Sequence, residues 1–135
     1  MKKSAAFLAT SLLCALTSAS TLTDKIANAS SSQIKSIAKS VAESLAKDTP
    51  TQIDSATKMV AVSFVSSTNT LIYYYETTAY PNPEYIRPRV INGVCSNEIL
   101  RALAFKSITF QYYYSAPDGT HLFTQDVVAR DCGVR

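Results

Sequence analysis

Apolar positions recur at helical spacing in the first half of the chain. Ile34, Ile37, Ala38, Val41 and Leu45 form one stripe, and Lys35, Lys39, Glu43 and Lys47 fall off it. Ser30 stands three residues ahead of Gln33, the reciprocal pattern of a capping box. Pro50 closes the segment. The spacing predicts an amphipathic helix from residue 31 onward. Its polar face mixes lysine with glutamate and is not strongly basic, which favours packing on the protein's own sheet over a membrane surface.

The period then changes from helical to alternating. In TKMVAVSFVSS, Val60, Val62 and Phe64 fall on one side and Met59, Ala61, Ser63 and Val65 on the other. SSTN reads as a turn and TLIYYYETT as the antiparallel return strand. AYPNPEYIRPRVINGV interrupts the pattern, because Pro81, Pro83 and Pro88 lack backbone donors and bias the residues before them away from helix. It reads as a long extended loop. CSNEILRALAFKS predicts a short helix capped by Ser96 or Asn97, with Ile99, Leu100 and Leu103 inward. ITFQYYYS and HLFTQDVVAR flank Pro117-Asp118-Gly119, where proline presets the first corner and glycine takes the positive φ of a hairpin turn. The expected fold is α+β, a four-stranded antiparallel sheet with two helices on one face, in the order helix, hairpin, helix, hairpin.

All but two of the eight tyrosines lie in two triplets, 73–75 and 112–114. Side chains alternate along a strand, so no triplet can face one way. Tyr73 and Tyr75 go with Leu71, and Tyr112 and Tyr114 with Ile108 and Phe110, on the expected core face. Tyr74 and Tyr113 fall on the opposite face, either as a cross-strand aromatic pair or as a half-wet surface for a protein partner. Tyr80, Tyr85, Arg87 and Arg89, in the proline-rich stretch, are the other candidates for a contact surface.

The N-terminus changes the picture of charge. Lys2 and Lys3 precede an apolar run from Ala5 to Leu16 and then small residues, the layout of an export signal over residues 1–19. The run is short of the ~20 residues a membrane span needs, although an uncleaved anchor, or lipidation at Cys14, is the alternative outcome. Residues 20–30 read as a polar lead-in and 31–135 as a single domain. Without Lys2 and Lys3 the 13 basic residues become 11 against 10 acidic ones. No basic run survives, which argues against nucleic-acid binding, and no second apolar span follows. Export leaves Cys95 and Cys132, two cysteines in an oxidising compartment, which are expected to form one disulfide.

The segment CSNEILRALAFKSITFQYYYSAPDGTHLFTQDVVARDC, with MVAVSF and NTLIYYYE before it, resembles a family of small exported bacterial proteins described as quorum-sensing-regulated virulence factors or left uncharacterised. The resemblance spans roughly residues 50–132. It implies an α+β exported domain with a cysteine pair and supplies no catalytic residues.

Chemistry adds little. His121 is the sole imidazole, and a serine nucleophile with His121 and Asp126 can be written for any serine-rich chain. No nucleophile elbow, metal-binding helix or phosphate loop is present, so no cofactor or metal is expected. The reading is an exported, non-enzymatic protein-binding module, in the periplasm or medium, of the virulence-associated kind. The alternatives are a periplasmic secretion-assembly factor, an inhibitor of another protein's enzyme, or a small hydrolase using His121. N-terminal sequencing of the native protein should begin at Ser20, Thr21 or close by, and an intact Met1 in washed membranes would instead mean an anchor.

Overall fold

The computed structural model describes residues 19–133, and the expected export signal, Cys14 included, lies outside them but for its last residue. Helices α1 (Ala19–Ala27) and α2 (Ser31–Ala46) come first. Strands β1 (Thr51–Gln52), β2 (Thr57–Val65) and β3 (Thr70–Thr77) follow. Helices α3 (Pro83–Cys95) and α4 (Glu98–Phe105) precede β4 (Thr109–Ser115), β5 (His121–Val127) and a 3-10 turn at Ala129–Cys132.

The capping box forms as the sequence predicts. The Ser30 hydroxyl accepts the Gln33 N–H at 3.3 Å, and Gln33 Oε1 accepts the Ser30 N–H at 2.8 Å. Below it Ile34, Ala38, Val41 and Leu45 are buried. Asn97 caps α4, its side-chain oxygen accepting the N–H groups of Ile99 and Leu100 at 3.0 Å each. The β4–β5 turn also forms, with Gly119 at φ +92°.

Three expectations are corrected. The polar lead-in contains helix α1, which packs against α4 and buries Ile26 completely. Its two large apolar residues, Leu22 and Ile26, are too few to read as a stripe. The proline-rich stretch is largely helix α3. Asn82 is the N-cap, accepting the Glu84 N–H at 3.0 Å, and Pro83 occupies the first turn, where a missing donor costs nothing. Pro88 lies inside the helix and removes one bond, and the buried pair Val90 and Val94, one turn apart, holds the remainder.

The third correction is topological. The sheet has five strands in the order β1–β2–β3–β4–β5, and the central pair, β3 and β4, is parallel. The other neighbours are antiparallel. The connection through α3 and α4 carries the chain back to the end of the sheet where β3 began, as a parallel pair requires. The sheet is therefore mixed, with four helices. One further shift is local: pairing passes from Met59–Tyr75 to Ala61–Tyr74, leaving Val60 as the extra residue of a bulge. Met59 thereby joins Val62 in the core instead of facing away from it.

The helices and the core-facing strand residues share one hydrophobic cluster, with Leu71, Leu103, Ile108 and Phe110 among its fully buried members. Within it, α2 packs over β2 and reaches β3, while α3 packs against β5.

Cys95, at the end of α3, is bonded to Cys132 in the 3-10 turn, 37 positions further along the chain, with Cα atoms 5.4 Å apart. The bond ties the helical crossover to the end of the chain. Cys132→Ala should lower stability by about 2–5 kcal/mol in denaturant titration, and the native protein should show no free thiol when unfolded without reductant.

Candidate functional site: a groove floored by tyrosines

Parallel pairing sets the two triplets side by side, Tyr73 with Tyr112, Tyr74 with Tyr113 and Tyr75 with Tyr114. On the helix face the rings stack. Tyr73 and Tyr112 have centroids 4.6 Å apart and planes 8° apart, and Tyr75 and Tyr114 are at 4.9 Å and 22°. Tyr75 also stacks on Tyr112 at 6.0 Å, so the four rings form one continuous array. Each such pair contributes about 0.5–1.5 kcal/mol beyond the area it buries.

This array is the floor of a groove of about 510 Å³. Leu45, Ile53 and Met59 form one wall, and Ile86, Val90, Gly93 and Leu100 the other. The rim carries Tyr80, Tyr85, Asp54, Asn82, Arg89 and Asn97. The groove lies over the β3–β4 seam, between α2 on one side and α3 on the other. Arg89 Nη1 donates to the Tyr85 hydroxyl at 2.7 Å, and its guanidinium carbon lies 4.8 Å from the Tyr85 ring centre. Asp54 Oδ1 accepts the N–H groups of Ala56 and Thr57, each at 2.9 Å.

Burial raises the phenols of the floor. Tyr73, Tyr75 and Tyr112 are held well above the ordinary value of 10.0, desolvation being the largest cause for each. Tyr73 and Tyr112 also share a hydrogen bond. Tyr114 is pushed up to about 12 by burial and then by Asp54, with Arg89 acting in the opposite sense.

The structure brings Tyr80, Tyr85 and Arg89 together at the groove rim, whereas Arg87 is exposed and lies off the lining. Tyr74 and Tyr113 lie on the other side of the sheet, half-buried, with centroids 5.7 Å apart. The His121 ring lies against Tyr113 with centroids 4.7 Å apart and planes tilted by 35°, and its Nε2 shares a 2.7 Å hydrogen bond with Thr124. Asp126 accepts from Gln111 at 3.0 Å, so His121 and Asp126 turn to different partners. Among the described residues no group of three or more His, Cys, Asp or Glu side chains could hold a metal ion, and no helix is long and apolar enough to cross a membrane. The inner tyrosines read from the sequence as core alone. Their role as a floor depends on the parallel pairing and on the α2–α3 gap, and alternation reports neither.

No protein-family model and no curated protein sequence matches the chain. Solved structures do. A Pseudomonas aeruginosa protein described as secreted aligns with 78% of this chain and 99% of its own at a TM-score of 0.67 and 21% identity. The type 2 secretion system pilotin EpsS of Vibrio vulnificus aligns over 76% and 94% of the two chains at 0.65 and 16%. The type II secretion system pilotin AspS of Vibrio cholerae aligns over 74% and 93% at 0.59 and 15%. At these identities the likeness establishes a shared fold. None of the three descriptions carries the quorum-sensing association of the resembled family.

The raised phenols fix the sign of a pH dependence. An unfolded chain releases tyrosine protons near pH 10.0, before the folded chain does, so the folded state binds more protons. Stability should be complete below that value and fall as pH rises from 10.0 through about 12. Denaturant midpoints measured across this range check it, and replacing Tyr73 and Tyr112 together by phenylalanine should flatten the decline.

Proposed function

We propose that the protein is an exported, non-enzymatic assembly factor that holds a helical segment of a secretion-system protein in the tyrosine-floored groove. The observation that carries this reading is the gap in the helix layer above the β3–β4 seam, with Gly93 on its wall. Glycine in a helix interior costs about 0.5–1 kcal/mol relative to alanine. A Cβ built at Gly93 meets nothing within 4 Å, so packing within the protein does not demand it. A small residue there lets a helical guest approach α3 closely, at the ~8–10 Å axial spacing of packed helices. Of the five large apolar side chains exposed among the described residues, three border the groove: Ile53 at 49%, Tyr80 at 73% and Tyr85 at 59%. Exposed apolar groups concentrated around a concave surface favour a binding site. The shared fold with two type II secretion pilotins supports the assembly role over a free virulence factor.

The outer pair Tyr74 and Tyr113 is the competing face, and one experiment separates the two. In intact cells, a photo-crosslinking residue at Ile53 should capture a secretion-system protein, and one at Thr124 on the outer face should not. Gly93→Leu should abolish capture at Ile53 while leaving stability unchanged or raised by up to about 1 kcal/mol. Tyr74→Ser with Tyr113→Ser should leave that capture intact. The reverse pattern would move the function to the outer face.

A further inference from the structure

The groove is apolar along its length, but its rim is not neutral in hydrogen-bonding terms. Asp54 and Arg89 are the charged residues of the lining. They are not equally available. Asp54 is turned into its own bend, where two backbone N–H groups occupy its carboxylate oxygen. Asn97 and Asn82 spend their side-chain oxygens capping α4 and α3, which leaves their amide hydrogens to donate. Arg89 has five donors, of which one goes to Tyr85, a residue one helical turn away on α3. The Tyr85 ring supports the guanidinium plane and the Tyr85 hydroxyl fixes one arm of its fork. The ordering entropy of a long cationic side chain is therefore already spent in the free protein. The rim offers preorganised donors, with one oxygen of its single carboxylate already engaged.

We infer that Arg89, braced by Tyr85, is the polar anchor of the groove, and that the bound helical segment presents an acidic side chain to it beside its apolar face. This inference rests on the groove reading above. Tyr114 on the floor feels both rim charges, Asp54 the more strongly and Arg89 in the opposite sense. An acidic group on the guest would meet the remaining donors of Arg89 together with the amide hydrogens of Asn82 and Asn97. A lysine or arginine on the guest would find one charged partner, Asp54, whose Oδ1 is already shared by two backbone N–H groups. The anchor fixes the register of the guest along the groove, which an apolar floor alone leaves free to slide.

The test is selection of a phage-displayed library of 16-residue helical peptides on the purified protein, repeated on the Gly93→Leu, Arg89→Gln and Arg89→Glu variants. Arg89 is exposed, so its substitution leaves the core in place, and Arg89→Gln keeps a planar donor group. The expected result is an apolar i, i+3, i+4, i+7 consensus with Asp or Glu at one fixed position. Replacing that acid by alanine should weaken binding about 10- to 100-fold, the range of a charge-assisted hydrogen bond. Arg89→Gln should weaken the acidic peptides similarly, and Arg89→Glu should move the fixed position to Lys or Arg. An apolar consensus with no charged position, still blocked by Gly93→Leu, overturns the anchor and leaves the groove standing. A basic fixed position with the unaltered protein overturns it too and assigns the reading to Asp54. Peptides indifferent to Gly93→Leu overturn both the anchor and the groove.

Discussion

The parallel pairing of β3 with β4 is the interaction on which the rest of the molecule depends. It sets two identical tyrosine triplets in step, so that each ring meets its counterpart directly across the seam. It requires a crossover, and the crossover is α3 and α4. Of these, α3 covers the β5 side of the sheet while α2 covers the β2 side. The groove is what neither covers. An antiparallel arrangement of the same two hairpins would lose the alignment of the triplets and the stacked floor they make.

Much of the local structure was legible. Ser30 and Gln33 announced α2, the pair Ser96 and Asn97 announced α4, with Asn97 proving to be the cap, and Pro117-Asp118-Gly119 announced the β4–β5 turn, because each is a short-range device whose partners are neighbours in sequence. The alternation of the triplets correctly separated inner from outer tyrosines. What escaped was set at longer range. Strand direction at β3–β4 depends on where a connection from residue 78 to residue 108 returns the chain, and no residue encodes that alone. The bulge at Val60 moved Met59 across the sheet for the sake of its partners on β3. Helix α3 was hidden because three prolines in eight positions outweigh the quieter pair Val90 and Val94.

The candidate site was half legible for the same reason. Tyr80, Tyr85 and Arg89 were visible as surface-suited residues, since their chemistry suits an interface wherever they sit. Arg87 has the same chemistry but falls on the wrong side of α3, a distinction that needs the helix to exist. Gly93, between Asn92 and Val94 in VINGVC, becomes meaningful only once the surrounding segment is helical.

The seam also imposes an order on assembly. The β2–β3 and β4–β5 hairpins close through short turns and can form locally, whereas Tyr73 and Tyr112 are 39 positions apart and meet only after both crossover helices have been laid down. Pairings of such separation incur their loop-closure entropy before any contact rewards it, and so they come late. The floor, both walls and the rim all belong to this last step. A chain arrested part-way would hold its hairpins without the floor, so the groove exists only in the finished fold.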